Sequence, residues 1–411
     1  MTATHRILLG LVLGAATGIA LASWAPGAAE HVADAVQPLG KLWLSALQMT
    51  VVPLVLSLVV VGANTATDAA ASGRIARRAI VVFLVLLALG AAVAAIAAPA
   101  LFALFPHSDS LTAALSAAGG HMPATAPIGW SDWLAGIVPT NAVMAAAQSA
   151  MLPLVVFAMF LGFALTRIPA ERRALAVEFF RAIADAMIVV VRWVLLLAPL
   201  GVFALILSVC ARAGLHMLGA LGVYVLVECI VYLICTALML VVARVWGHES
   251  FARFAAAIAP AQVVAASTQS SLASLPAMIE SADRRLGYPT AVTSLVLPMA
   301  VSLFRLTSPV QYIVSASFIA WAFGIDLGVA QLAAGATLAV VISLGSVGLP
   351  GQVTFIATNV PVAQAMGLPI GPLGIMLAVD TLPDTLATLG NVTADLAATS
   401  VVAAQSARDK A

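Results

Sequence analysis

Apolar stretches long enough to cross a lipid bilayer recur from the first residues of the chain to about residue 250. A helix needs about 20 apolar residues to cross the hydrocarbon, where the backbone finds no water to bond. Helices satisfy their own backbone groups, so the sequence predicts an all-α membrane protein. Pro99, Pro153 and Pro199 predict tilts or breaks in the third, fourth and fifth spans. We place six spans near residues 6–25, 37–63, 79–105, 134–166, 174–211 and 217–246.

The composition agrees with lipid surroundings and excludes two classes of function. The chain is 63% hydrophobic and 9% charged, unlike a soluble enzyme. Lysine and arginine number 18 against 17 acidic residues, so no basic field is available to hold nucleic acid. The three cysteines lie in apolar runs without metal-binding spacing, and no nucleophile–base pattern suggests an enzyme. We expect no cofactor.

Loop charges predict the topology. We take Ile7–Trp24 as a first span and not as a cleaved leader, because similar spans follow it. Every second loop is basic, and the loops between them are acidic with Arg212 as the exception. Basic loops face the cytoplasm. The sequence therefore predicts a multi-pass protein of the plasma (inner) membrane with both termini in the cytoplasm.

The apolar pattern changes after about residue 250, where shorter segments are interrupted by serine, glycine and proline. The interruptions are Ala266–Pro276 and Ser343–Gly351. Non-helical backbone at membrane depth persists only where it is buried in protein or lines an aqueous cavity. The two interruptions together predict two re-entrant hairpins whose tips form a binding site. The alternative is that these small residues only allow close helix packing.

The last span carries a polar stripe formed by Asp380, Asp384, Asn391 and Asp395. At about 100° per residue of a continuous helix, all four fall within roughly 60° of one another. Charged side chains are costly in a membrane, so a one-sided acidic stripe indicates a functional site. A structural polar seam paired to neighbouring helices is the alternative.

Two further charged residues lie inside apolar spans. Arg305, within Leu295–Phe318, needs an acidic partner. Three aspartates against one arginine leave about two buried negative charges, which protons, cations or a cationic substrate group must balance. Glu228 is alone in the sixth span, and we favour an interhelical or water-facing carboxylate over a proton relay.

These features together resemble the dicarboxylate/amino acid:cation symporter family, which includes the glutamate transporters. The resemblance implies eight transmembrane helices plus two re-entrant helical hairpins, with a scaffold and a mobile transport core that works as an elevator in a homotrimer. The matching segments are Leu39–Gly40, Met49–Val55, Ile137–Asn141, Leu152–Pro153, Ala198–Ala204, both hairpin tips and Asp380–Asp395.

The resemblance also implies a division of the chain. Residues 1–250 would hold six N-terminal spans, which are scaffold helices and part of the mobile core. Residues 251–404 would form the transport core, from hairpin one through the seventh span and hairpin two to the eighth span. Residues 405–411 would be a cytoplasmic tail.

Site residues follow from the same resemblance. Hairpin one and the backbone of hairpin two would bind a substrate carboxylate, Asp384 would take an amino group, and Asp380 would be a supporting carboxylate. The residues implied to bind substrate are Ser270, Ser271, Ser346, Val347, Gly348, Asp384, Thr388 and Asn391. Sodium, if retained, would lie at Asp395 with the Asn391 carbonyl, and a second sodium would lie between Ser343 and Ser346.

Two departures from the family concern the coupling ion. The family's Asn-Met-Asp-Gly-Thr motif falls on Phe304–Ser308, so its asparagine and its aspartate are both lost. The family's third helix supplies Tyr, Thr and Ser to the same sodium, and residues 79–105 contain none of these. We therefore expect that one sodium site is lost.

Arg305 replaces the methionine of that motif and supports two hypotheses. In the first, its guanidinium stands in for the missing cation and pairs with Asp395 or Asp380, which favours a neutral amino acid as substrate. In the second, it binds an acidic substrate group, because Ala387 occupies the position where acidic-substrate members carry arginine. A planar guanidinium suits a carboxylate. The second hypothesis keeps a dicarboxylate or an acidic amino acid possible.

We expect a secondary active symporter that moves a small carboxylate, either a dicarboxylate or an amino acid, with sodium or protons. Two other classes stay open. One is an uncoupled carboxylate uniporter or anion channel, and the other is a membrane receptor that no longer transports. The expected partners are the carboxylate, membrane lipid and further copies of the chain.

Overall fold

The computed structural model describes residues 3–71, 73–106, 112, 113, 115, 138–345, 351–380 and 383–408. Its regular elements are helices, which confirms the predicted all-α class. Before residue 250 they are α1 (Ala3–Trp24), α2 (Pro26–Gln48), α3 (Val51–Ala71), α4 (Arg74–Phe102), α5 (Ala142–Ala147), α6 (Met151–Leu165), α7 (Ala170–Leu196), α8 (Ala198–Ala213) and α9 (Leu215–Val245). After it they are α10 (Phe251–Thr268), α11 (Ser271–Glu280), the π-helical segment Ser281–Leu286, α12 (Thr290–Leu303), α13 (Thr307–Ala322), α14 (Val329–Gly345), α15 (Gly351–Ala365), α16 (Leu373–Val379) and α17 (Asp384–Arg408).

The helices confirm a multi-pass membrane protein. Within the described ranges, six helical stretches are long and apolar enough to cross a bilayer, and one bent pair adds a seventh. The second predicted span, 37–63, is part of a longer helical stretch, Gly27–Asp68. The stretches are Gly27–Asp68, Arg74–Phe102, His216–Val245, Phe251–Thr268, Thr290–Ala322 and Asp384–Arg408, with the pair Ala170–Leu196 and Ala198–Arg212.

Two of the three prolines lie at helix breaks, as the sequence predicts. Pro199 is in the first turn of α8, which is bent by 59° from α7. Pro153 is in the first turn of α6, after the break that follows α5. Proline suits a first turn because the backbone N–H that it lacks has no helical acceptor there. Pro99 instead lies inside α4, which ends at Phe102.

The helices pack as two groups. In the first group α1 and α2 lie against α8, and α3 lies against α6 and α7. In the second group α4 and α9 pack against α13 and α17. The arms of each hairpin pack side by side, α10 with α11 and α14 with α15, as expected for re-entrant hairpins. The groups meet where α14 crosses α3.

Arg212 is the basic exception among the loops that are predicted to be acidic, and the structure gives it a partner. Its Nη2 lies 2.5 Å from Asp34 Oδ1, which joins the end of α8 to α2. The pair neutralises the charge that departs from the alternating loop pattern.

Gly201 allows α8 to lie closely against α2, because a β-carbon there would overlap the indole of Trp43. The same indole donates from Nε1 to Val194 O at 3.1 Å, so its position is fixed. We predict that Gly201→Val lowers the melting temperature of the purified protein, since overpacking costs about 1–3 kcal/mol. Gly222→Val is the control, because a β-carbon there meets no described atom within 4 Å. Equal melting temperatures for the two variants would contradict this packing.

Candidate substrate and cation site

The seventh span is interrupted in its middle. α12 ends at Leu303, Phe304 is extended with φ −127° and ψ 103°, and α13 begins at Thr307. The Phe304 ring stacks on Phe83 of α4 with ring centroids 4.9 Å apart, which anchors the break. Successive side chains of extended backbone point to opposite sides. Arg305 therefore projects away from this aromatic contact.

Parts of both hairpins approach this break and the start of α17. Ser343, in the last turn of α14, donates from Oγ to the Arg305 carbonyl oxygen at 3.4 Å. At the tip of hairpin one, Gln269 donates from Nε2 to Thr385 Oγ1 at 2.9 Å. Ser270 caps α11 by accepting from the Ala273 N–H at 3.2 Å. Four separate stretches of chain thus converge on one region.

The structure corrects the single acidic stripe of the last span. Asp380 follows α16, whereas Asp384 begins a separate helix, α17, so the two do not share one continuous helix. Pro383 directly precedes the first residue of α17, and proline lacks the backbone N–H that a continuous helix would use at this position. Asp384, Asn391 and Asp395 remain together on α17. Asp380 is instead held by a hydrogen bond from Gln311 Nε2 of α13.

Asn391 joins α17 to the break in the seventh span. Its Oδ1 accepts from the backbone N–H of Thr307 at 3.0 Å, and this N–H belongs to the first turn of α13, where helices have no internal acceptor. Thr388 donates from Oγ1 to the Asp384 carbonyl oxygen at 2.9 Å. Asn391 and Thr388 are buried, and Asp384 is half-buried, so α17 faces the break with its polar side.

Asp395 is fully buried, and neither of its carboxylate oxygens has a hydrogen-bond donor among the described residues. A buried carboxylate without donors is costly unless a positive charge or a proton compensates it. Arg305 acts electrostatically on Asp395 and also on Asp380 and Asp384. Since no described donor bonds Asp395, this influence acts at longer range than a hydrogen bond. Its oxygens remain available to a small cation or a proton.

The predicted site residues therefore fall into two sets. In the first set, Arg305 accepts a hydrogen bond from Ser343 at its carbonyl oxygen and interacts electrostatically with the three aspartates. Ser270 and Ser271 lie beside Gln269 at the tip of hairpin one, which contacts α17. The predicted positions Ser346, Val347 and Gly348 lie outside the described residues.

Sequence reasoning did not single out two polar contributions to this region. The first is Gln311, which bonds Asp380, and nothing in the local sequence indicates this contact. The second is a pair of tyrosines around Glu228 on α9. Tyr232 donates to Glu228 Oε1 at 2.8 Å, and Tyr224 lies close to the same carboxylate. Glu228 is fully buried between helices, which argues against a water-facing carboxylate and is compatible with both an interhelical contact and a proton-binding group.

The bond between Asn391 and Thr307 gives a stability prediction. Asn391→Ala leaves the buried Thr307 N–H without an acceptor, which costs about 1–3 kcal/mol, so we expect a lower melting temperature. Asn359→Ala is the control, because Asn359 is equally buried at 1% exposure and donates to a carbonyl of its own helix. If both variants have the same melting temperature, the Asn391 hydrogen bond does not hold the break in place.

Comparisons with known proteins agree with this architecture. A model of the Sodium:dicarboxylate symporter family matches residues 3–405. The proton/glutamate-aspartate symporter of Escherichia coli (strain K12) is 30% identical over 403 residues, which cover 97% of this chain and 91% of that protein. The proton/sodium-glutamate symport protein of Geobacillus stearothermophilus is 27% identical over 396 residues, covering 94% and 90%. C4-dicarboxylate transport protein 2 of Ralstonia nicotianae (strain ATCC BAA-1114 / GMI1000) is 28% identical over 413 residues, covering 97% and 89%. The chain belongs to the sodium:dicarboxylate symporter family.

Proposed function

We propose that this chain is a secondary active symporter that moves a small carboxylate, a dicarboxylate or an amino acid, across the plasma (inner) membrane with H⁺ or Na⁺. Relatives named as a proton/glutamate-aspartate symporter and a C4-dicarboxylate transport protein support this substrate class. The observation that carries the proposal is the Asp395 carboxylate, which is fully buried without a described donor. Such a group needs a cation or a proton, and it shares α17 with the expected substrate residue Asp384.

The charge balance of the core supports coupling to a cation. Three aspartates, Asp380, Asp384 and Asp395, lie within the electrostatic range of one arginine, Arg305. One guanidinium cannot neutralise three carboxylates, so about two negative charges need compensation when all are ionised. A carboxylate substrate adds negative charge to the same region. Substrate binding is therefore favoured when a cation or a proton binds with it.

The substrate roles follow the expected residues. Ser270, Ser271 and the backbone of Ser346–Gly348 take the substrate carboxylate, and Asp384 takes an amino group where the substrate has one. Thr388 and Asn391 hydrogen-bond the ligand. The contact between Gln269 and Thr385 supports this arrangement, because it holds the tip of hairpin one beside Asp384.

The cation roles use the polar groups on the other side of the break. Asp395 with the Asn391 carbonyl holds one cation, and Ser343 with Ser346 contributes to a second. The bond from Ser343 to the Arg305 carbonyl supports the second position, because it places α14 against non-helical backbone whose oxygens suit a hard cation. Asp380 is a supporting carboxylate.

The packing of the two helix groups supports an elevator mechanism. A cavity of about 370 Å³ lies between α3 and α6 on one side and α4 with the first arm of hairpin two on the other. Its lining is almost entirely apolar and includes the small residues Gly62, Ala63 and Ala66. An apolar contact of this kind permits sliding, because displacement of one surface along the other breaks few hydrogen bonds. We propose a scaffold around α1–α3 and α6–α8, a mobile core from α9 onward together with α4, a homotrimer, and cytoplasmic termini.

Uptake by reconstituted vesicles tests the function. Proton and sodium gradients are imposed separately, and labelled aspartate, succinate and alanine are offered. We expect accumulation of at least one substrate under one gradient, which identifies the coupling ion. Asp395→Asn is expected to reduce gradient-driven accumulation by more than about tenfold, a free-energy change of about 1.4 kcal/mol.

Glu178→Gln is the control for Asp395→Asn, because Glu178 is an exposed acid that pairs with Arg181 on α7. This variant should accumulate substrate like the unmodified chain. Facilitated equilibration without accumulation would indicate a uniporter or a channel. Accumulation by Asp395→Asn at the unmodified level would remove Asp395 from the coupling site.

Arg305→Met separates the two hypotheses for Arg305. If the guanidinium holds a substrate carboxylate, the dissociation constants for aspartate and succinate rise by about tenfold or more, because a lost charged hydrogen bond costs about 1.5–3 kcal/mol. If it replaces a cation, the substrate range stays the same and the sodium dependence changes. Arg192→Met, on an exposed position of α7, is the control. An Arg305→Met protein with unchanged substrate range and ion dependence would contradict both hypotheses.

A further inference from the structure

A second buried acid lies outside the expected substrate and cation residues. Tyr224, Glu228 and Tyr232 are spaced by four residues on α9, so they lie along one side of the helix. α9 contains the span His216–Val245, and Glu228 is 0% exposed within it. A carboxylate in this position needs a specific reason, because ionisable residues inside membranes are costly.

The hydrogen bonds of Glu228 are incomplete. Tyr232 donates to Oε1 at 2.8 Å, but Oε2 has no hydrogen-bond partner in the described part of the chain. Tyr224 is close to the carboxylate, and its hydroxyl shares a hydrogen bond of 3.1 Å with Ser315 Oγ of α13. Ionised Glu228 would keep one buried oxygen unpaired, whereas protonated Glu228 carries no charge and can donate from that oxygen.

The charges around Glu228 also favour a proton. Asp380 and Asp384 interact electrostatically with Glu228, and both are acidic. Arg305 acts electrostatically on Asp380, Asp384 and Asp395, so its one positive charge is shared among three carboxylates. Like charges held close together in a poorly solvated region cannot all ionise.

Among the described residues, the remaining elements that pack against α9 place no lysine or arginine at this carboxylate. α4 is charged only in its first turns, at Arg74, Arg77 and Arg78. α8 has Cys210 and Arg212, and Arg212 pairs with Asp34. In α10 the charged residue is Arg253, whose guanidinium lies 3.8 Å from Glu249. On α9 itself Cys229 is adjacent to Glu228.

We propose that Glu228, held by Tyr232, binds the proton that is transported together with the substrate. This inference rests on the proposed symport function and identifies one residue and one ion within it. Asp384 is half-buried and interacts electrostatically with Glu228, so we assign proton access to the side of Asp384. No covalent step is involved, because one proton binds on loading and leaves on release.

The proposal predicts the sign of the coupling. A substrate with net negative charge makes the potential at Glu228 more negative and so favours the bound proton. By thermodynamic reciprocity, the bound proton favours the substrate to the same extent. A net-neutral amino acid adds no charge and gives weak coupling. Aspartate or succinate should therefore bind more tightly as the pH falls, and alanine should change little.

The test measures substrate dissociation constants against pH by calorimetry on the purified full chain. For aspartate or succinate, we expect the unmodified protein to bind more tightly at lower pH, by up to about tenfold per pH unit for one proton taken up. Glu228→Gln mimics the protonated acid, so its affinity should match the low-pH value of the unmodified protein at every pH. In vesicles this variant should retain substrate exchange and lose proton-driven accumulation.

Two further variants distinguish a proton site from a structural one. Tyr232→Phe should shift the midpoint of the pH dependence and leave the affinity at low pH unchanged. Glu249→Gln is the control, because Glu249 is a buried acid, 8% exposed, that lies beyond the end of α9 and near Arg253. It should keep both the pH dependence and the accumulation. Equal loss of affinity at all pH values in Glu228→Gln would indicate a structural role and overturn the proposal.

Further outcomes distinguish failure of the Glu228 proposal from failure of the proposed symport function. Sodium-driven accumulation with pH-independent affinity in the unmodified protein would overturn the role of Glu228 and leave the symporter intact. Absence of binding and uptake in the unmodified protein would overturn the proposed function. In that case infrared titration still tests the proton site: a C=O stretching band of a protonated acid that disappears in Glu228→Gln supports it. Absence of such a band from the unmodified protein contradicts it.

Discussion

Negative charge buried in an apolar helix bundle is the constraint on which the rest of this structure depends. Asp380, Asp395 and Glu228 are buried, and Asp384 is half-buried beside them. Arg305 is the arginine that acts electrostatically on the three aspartates among these four carboxylates. A soluble protein could solvate such groups, but a bilayer offers no water. The excess charge is stable only if mobile cations or protons occupy the core. Because a charged substrate changes the same balance, cation or proton binding is coupled to substrate binding.

The helix breaks lie beside the charged residues of the core. The seventh span opens between Leu303 and Thr307, and the last span is divided between Asp380 and Asp384. The break in the seventh span is supported by other helices. Phe304 stacks on Phe83 of α4, and Asn391 of α17 accepts from the buried first turn of α13. The polar groups freed by this break are thus held in fixed positions, which a binding site needs.

Much of the fold could be predicted from the sequence, because it follows from local rules. Apolar runs of bilayer length predict the helical class, and Pro153 and Pro199 lie at helix breaks as expected. The first of the two interruptions does fall between the paired helices α10 and α11, and most of the second lies outside the described residues. The acidic stripe was predicted less well. Pro383 divides it, although the helical periodicity alone places Asp380 and Asp384 on one face.

The contacts that complete the site depend on residues far apart in sequence. Gln311 reaches Asp380, and Asn391 reaches Thr307, across 69 and 84 residues respectively. Helical periodicity relates residues only a few positions apart, so it does not predict these long-range contacts. The spacing of Tyr224, Glu228 and Tyr232 was readable in the sequence, but the burial of Glu228 beside Asp380 and Asp384 emerges only when α9, α16 and α17 pack together.

The central claim is that a cation or proton accompanies the substrate through this acidic core. The most direct measurement is the reversal potential of substrate flux in sealed vesicles, recorded while the proton and sodium gradients are varied one at a time. We expect the reversal potential to shift with at least one of these gradients at a fixed substrate gradient. A reversal potential that depends on the substrate gradient alone would show that the buried charge is not coupled to transport.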